Sequence, residues 1–113
     1  MKQYILINME LKMSHGKIAR VCHTAGLLNS NLIGFFKRIK WIRNGMTTIV
    51  LKSNLEEIRN FMVLLDAIKV KYGTHIDKGY TQVPNGSLCM LTFMMDEYKH
   101  FETIKILNEL KLY

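Results

Sequence analysis

The chain predicts an α/β fold: a single domain with a four-stranded mixed β-sheet and helices on both faces, in the order β-α-α-β-α-β-β-α. Three observations carry that prediction. Residues Gln3 to Met9 are almost continuously apolar, with Ile and Tyr, as in a central strand covered on both faces. Strand-like and helix-like segments then follow one another along the chain, which requires a mixed sheet with right-handed crossovers. A length of 113 residues with 49% apolar composition supplies one sizeable core but not two, so residues 1–113 read as one domain without a linker.

After the first strand, Ser14 suits a helix N-cap. Ile18, Val21, Cys22, Ala25, Leu28, Leu32 and Phe36 recur behind it at helical spacing. Asn29 to Asn31 interrupts the pattern, and Leu32 to Ile42 continues it as a basic, aromatic helix expected to end at a C-cap near Asn44-Gly45. Thr47 to Lys52 reads as a strand. Ser53 and Glu56 form an expected capping box ahead of Ile58, Phe61, Met62, Leu65 and Ile68, an amphipathic helix. Tyr72 to Ile76 and Leu88 to Phe93 are strands flanking a glycine-rich turn. Asp96 is expected to cap a last helix running through Tyr98, Phe101 and Ile104.

Charge is informative by location. Residues 1–43 hold eight Lys/Arg (positions 2, 12, 17, 20, 37, 38, 40 and 43) against Glu10 alone, net +7, whereas residues 44–113 hold eight of each sign. Such an asymmetry suits a nucleic-acid or phosphate partner; a solvated face that aids solubility is the alternative. Trp41 and Phe35-Phe36, set among Lys37, Arg38, Lys40 and Arg43, are either a stacking surface for bases or core aromatics of an amphipathic helix.

Other classes are disfavoured. The apolar run from Tyr4 to Met9 is too short to span a bilayer or to serve as a signal sequence, so a soluble, cytoplasmic protein with no membrane partner is expected. Cys22 and Cys89 make no disulfide framework and read as reduced core residues. His15, His75 and His100 share no metal-ligand spacing, and adjacent Cys22 and His23 diverge on a helix, so no metal and no cofactor is expected. No nucleotide-binding loop or nucleophile elbow is present.

Chemistry concentrates in two segments. In Asp77-Lys78-Gly79-Tyr80-Thr81-Gln82-Val83-Pro84-Asn85-Gly86-Ser87 a carboxylate and a hydroxyl stand four apart in a turn whose glycines leave the backbone exposed; in Leu11 to Ala19, Lys12 and Lys17 bracket Gly16 where the first helix begins. Both segments follow strands. If the first and third strands are neighbours, Lys12, Lys17, Asp77 and Thr81 converge at strand carboxyl ends, where α/β sheets bind ligands. Anion binding with acid/base chemistry is the expected outcome.

In these residues the chain resembles the type 2 peptidyl-tRNA hydrolases, the class typical of archaea and eukaryotes. The resemblance spans nearly the whole length: Leu11-Lys12-Met13 with Gly16-Lys17-Ile18-Ala19, Cys22 and Ala25; then Asp77, Gly79, Thr81, Pro84, Gly86 and Ser87; then the terminal Leu110-Lys111-Leu112-Tyr113. It implies hydrolysis of the ester between a peptide and the 3′ ribose of tRNA, without a cofactor, by a homodimer. Carried over by position, Lys17, Asp77 and Thr81 are the catalytic set. Asp77 would orient or deprotonate water, Thr81 would position it, and Lys17 would stabilise the oxyanion. Lys12 would hold tRNA, and His15, Arg20, Lys37, Arg38, Lys78 and Gln82 complete the expected tRNA-binding set. Substitution of Lys17 or Asp77 is expected to reduce the rate with little effect on melting temperature.

The chain also departs from the family it resembles. Arg20-Val21 stand where Ala-Gln precede the helix cysteine, Thr24 stands where a histidine follows it, and Lys78 and Met94-Met95 replace an alanine and a proline-containing turn. A repacked pocket with Arg20 or Lys78 near Asp77, keeping it ionised, is therefore expected. The rival reading is a non-catalytic RNA- or protein-binding module that retains the fold.

Overall fold

The first strand, β1 (Lys2–Asn8), separates two apolar cores because successive side chains on a strand point to opposite faces. Tyr4 and Leu6 join Leu51, Ile58, Phe61, Leu65, Leu91, Phe93, Met95 and Leu107 on one face, while Ile5 and Ile7 join Met13, Ile18, Val21, Ala25, Cys89 and Met90 on the other. A strand buried on both faces needs a continuous apolar run, as Tyr4–Ile7 supplies. Helices cover both faces, as the sequence predicts.

The computed structural model describes residues 1–78 and 86–113. After β1 come α1 (His15–Leu28), α2 (Phe35–Arg43), β2 (Thr48–Ser53), α3 (Leu55–Ala67), β3 (Tyr72–Ile76), β4 (Leu88–Met95) and α4 (Phe101–Leu107), with single 3-10 turns at Met9–Leu11 and Asn29–Asn31. The element order and the four-stranded mixed sheet match the prediction. Helix α1 packs on one face, and α3 and α4 on the other. None of the described helices is long and apolar enough to cross a membrane.

The sheet order is β2-β1-β4-β3, with β2 parallel to β1 and β4 antiparallel to both its neighbours. The first and third strands, whose adjacency was the condition for convergence, are not neighbours: β4 lies between them. Their directions nonetheless agree, since each is antiparallel to β4, so the carboxyl ends of β1 and β3 share one edge of the sheet. The C-terminal Leu-Lys-Leu-Tyr covers the opposite side, where Lys52 N donates to Lys111 O at 2.8 Å and Tyr113 N to Val50 O at 3.0 Å. That pairing satisfies backbone groups along the outer edge of β2.

Local structure shifts several expected boundaries. The capping box lies one residue later, between Asn54 and Glu57, because Ser53 is still paired in β2. Asp96 caps a turn rather than a helix: its Oδ1 accepts from Tyr98 N at 3.0 Å, Tyr98 is exposed, and α4 begins only at Phe101. Strand β4 continues through Met94 and Met95, both buried. On α2 the two readings of the aromatics divide by residue. Trp41 is a core residue whose Nε1 donates to Thr47 O at 3.0 Å, whereas Phe35 and Phe36 are exposed.

A buried polar cluster ties these layers together. Gln3 Nε2 donates to Ala25 O and to Thr92 Oγ1, both at 2.9 Å, and Thr92 Oγ1 donates to Tyr4 O at 2.9 Å. Asn29 Nδ2 donates to Gln3 Oε1 at 3.4 Å, and Arg38 Nε donates to Asn29 Oδ1 at 3.0 Å. The end of α1, the sheet and α2 are thereby held in one hydrogen-bonded chain.

Candidate active site

Ser14 caps α1 as its sequence position suggests, its Oγ accepting from Lys17 N at 3.3 Å. Lys17 thus sits in the first helical turn, where unpaired backbone N–H groups make a cation unfavourable. Its side chain is buried and its Nζ reaches Asp77 Oδ2 at 2.5 Å, both side chains being 3% exposed. Burial of an ammonium here requires a carboxylate, and Asp77 is that carboxylate.

Asp77 follows β3 and is fixed by its backbone. Its N–H donates to Ser87 O at 2.9 Å and its carbonyl accepts from Gly86 N at 2.7 Å. Gly86 has φ +86°, a conformation that glycine adopts without the Cβ clash of other residues. These bonds close the base of the turn and aim the Asp77 side chain toward α1.

A register shift completes the site. His75 pairs with Met90 but Ile76 pairs with Leu88, leaving Cys89 as an extra residue on β4. Without this bulge, Cys89 would point with Leu91 and Phe93 toward α3; with it, Cys89 joins Met90 on the α1 face. His75 and Asp77, two apart, lie on that same face. Their ligand atoms and the Cys89 sulfur all lie within 4.8 Å of one another. Burial pushes the His75 imidazole below its ordinary value, helped by the Lys17 and Arg20 charges and opposed by Asp77. Burial likewise pushes the Cys89 thiol up, against the pull of Lys17. Near neutral pH the group is an ion pair beside an uncharged imidazole and an uncharged thiol.

Of the residues expected to converge, Lys17 and Asp77 do so directly. Lys12, His15, Arg20 and Lys78 are exposed, and Lys12 turns the chain from β1 toward α1 with φ +50°. Arg20 carries its charge close enough to act on His75 and Cys89. The cation paired with Asp77 is Lys17 rather than Arg20 or Lys78. Val21 is fully buried in the apolar cluster on this face, and the Thr24 hydroxyl donates back to Arg20 O at 3.2 Å, so the departures from the resembled pattern are accommodated by packing. Thr81 and Gln82 lie outside the described residues.

Lys37 and Arg38 are elsewhere. Lys37 lines a cavity with Lys40, Met1 and Asp96, next to the amino end of β1. That is the opposite end of a seven-residue strand from Asp77, a separation of about 20 Å at 3.3 Å per residue. Arg38 is half-buried and engaged with Asn29. Comparing histidines only with one another and with Cys22 missed the grouping of His75 with Asp77 and Cys89. Period-two alternation does place His75 and Asp77 on one face, but nothing in the sequence announces the bulge that adds Cys89.

This α/β domain sets a buried ammonium–carboxylate pair at a helix N-terminus beside strand carboxyl ends, the position at which α/β sheets bind ligands. The chain belongs to the peptidyl-tRNA hydrolase PTH2 family, whose model it matches over residues 1–113. A peptidyl-tRNA hydrolase of Methanothermobacter thermautotrophicus is 31% identical over 120 aligned residues, covering 99% of each chain. One from Thermoplasma acidophilum is 30% identical over 107 residues, covering 91% of this chain and 92% of its own.

Proposed function

We propose that the chain hydrolyses the ester between a peptide and the 3′ ribose of tRNA, with Lys17 and Asp77 as its reacting groups. The buried Lys17–Asp77 pair carries this reading, and membership of the peptidyl-tRNA hydrolase family supports it. Asp77 removes a proton from a water molecule as the water oxygen attacks the ester carbonyl. The tetrahedral oxyanion forms within reach of the Lys17 ammonium, which is already held in place. Collapse of that intermediate breaks the bond to the ribose oxygen, which takes up the proton from Asp77; the products are a peptide acid and tRNA with a free 3′ hydroxyl. The role of Thr81 in positioning the water rests on the family resemblance. The reaction asks for water, a carboxylate and an ammonium, and for no cofactor.

Substrate binding is assigned to the exposed Lys12, His15, Arg20 and Lys78 around the pair, with Gln82 added by resemblance. Lys37 and Lys40 are a second contact about 20 Å away, a span suited to an extended nucleic-acid arm. Arg38 serves mainly to hold α2 against Asn29. Exposed Phe35 and Phe36, whose rings meet edge to face at 5.6 Å, offer a contact for the homodimer that the resemblance implies. A cytoplasmic location follows from an aminoacyl-ester substrate of translation.

Release of labelled peptide from a model peptidyl-tRNA tests the reading. Wild type is expected to turn over, and Asp77→Asn to lose at least about a hundredfold in rate, the size typical of a general base. Full activity in Asp77→Asn, or binding of tRNA with no turnover by wild type, overturns it.

A further inference from the structure

We propose that His75, Asp77 and Cys89 form a binding site for a thiophilic divalent cation, Zn2+ above all, whose occupation takes Asp77 from Lys17 and stops hydrolysis. Three different donor types meet here: an imidazole nitrogen, a carboxylate oxygen and a sulfur, all within 4.8 Å of one another. Zinc takes such mixed sets at about 2.0–2.3 Å per ligand, which puts tetrahedral edges near 3.3–3.8 Å, so about 1 Å of closure forms the site. The backbone is braced for this. His75 is on β3, Asp77 is pinned to Gly86 and Ser87, and Cys89 is turned inward by the bulge on β4.

Two further features favour a ligand. His75 Nε2 is buried and has no hydrogen-bond partner among the described residues, an omission that costs free energy unless something binds there. Strand β3 is also the edge strand of the sheet, and half-buried His75 is the member of the trio nearest solvent among the described residues. Cys89 must lose its proton on binding, and that proton is released to solvent as the sulfur–metal bond forms. A dication on Asp77 and the Lys17 ammonium at 2.5 Å from the same carboxylate are like charges sharing one anion. The ammonium is displaced, which separates the pair that the proposed reaction needs. The inhibitory consequence rests on that proposed reaction; the binding site does not.

Titration with Co2+, without substrate, reads the site directly. Wild type is expected to give a sulfur-to-cobalt charge-transfer band with the intense visible bands of four-coordinate cobalt, both erased by Zn2+. Cys89→Ser should abolish the charge-transfer band, Cys22→Ser should keep it, and His75→Leu, at a half-buried position, should weaken cobalt affinity at least about tenfold. No such band in folded wild type, or a band that survives Cys89→Ser and vanishes in Cys22→Ser, overturns the proposal. In the peptide-release assay, Zn2+ should inhibit wild type, with at least about tenfold more zinc needed for His75→Leu. Equal sensitivity in both overturns the inhibitory role. A wild type inactive in zinc-free buffer would instead count against the proposed reaction, because the cobalt spectrum stands without turnover.

Discussion

Lys17 breaks a local rule, a cation in the first turn of a helix, and the structure compensates with a single buried carboxylate. Such a pair contributes to stability, and under the proposed reaction to activity as well. The expectation that substitution leaves melting unchanged therefore needs revision: with both side chains 3% exposed, removing one partner strands a buried charge at about 3–5 kcal/mol. Lys17→Met should show that loss in urea unfolding, together with at least about a hundredfold loss in peptide release. Lys17→Met with Asp77→Leu should regain most of the stability and none of the activity. A single variant as stable as wild type would contradict the pairing.

His75 gives a second prediction at this scale. Its pKa in the folded state is lowered, chiefly by burial and then by Lys17 and Arg20. The folded protein thus binds this proton less readily than the unfolded chain, and the neutral form adds stability that is present above about pH 6.5 and fades as pH falls toward the folded value. Unfolding free energy should decline as pH drops below about 6.5, with a smaller decline in His75→Leu. Identical pH profiles for the two proteins would remove His75 as the cause.

At the scale of elements, the Gln3 cluster decides how α1 and α2 sit on the sheet. Replacing Gln3 by Leu keeps the volume roughly constant but removes the donor to Ala25 O and the acceptor of Asn29 Nδ2. Each orphaned buried group costs about 1–3 kcal/mol, so chemical unfolding should show a loss of several kcal/mol. A neutral effect would mean that these groups find other partners. The capping box of α3 is the simpler case, with Asn54 Oδ1 accepting from Glu57 N at 2.8 Å and Glu57 Oε1 from Asn54 N at 3.2 Å.

For the molecule as a whole, the N-terminal excess of charge is partly neutralised by folding. Lys17 pairs with Asp77 and Lys2 with Glu97 at 3.3 Å, while Arg38 is turned to Asn29. Five exposed cations of that segment remain with no carboxylate in ion-pair range among the described residues: Lys12, Arg20, Lys37, Lys40 and Arg43. If all five contact phosphates of a duplex arm, the slope of log affinity against log salt is about −4.5. Fluorescence anisotropy with tRNA should find a slope no steeper than this, and Lys37→Glu with Lys40→Glu should flatten it by about 2. An unchanged slope in that variant would confine binding to the Lys12–Arg20 end.

The sequence by itself determined the elements and the candidate site's two charged residues. An unbroken apolar run specified a doubly covered β1, 3.6-residue spacing specified α1 and α3, and the Lys17 and Asp77 motifs marked two residues that meet in the candidate site, because these signals are local. What only the tertiary structure decided depends on residues far apart in sequence: β4 inserted between β1 and β3, the one-residue bulge that turns Cys89 toward His75 and Asp77, and Gln3 meeting Asn29 and Thr92. The split of the basic segment between two ends of the sheet is of the same kind. Strand order, register and the pairing of buried charges are set by which arrangement satisfies all backbone groups and fills both cores at once, a condition on the whole chain that no single segment carries.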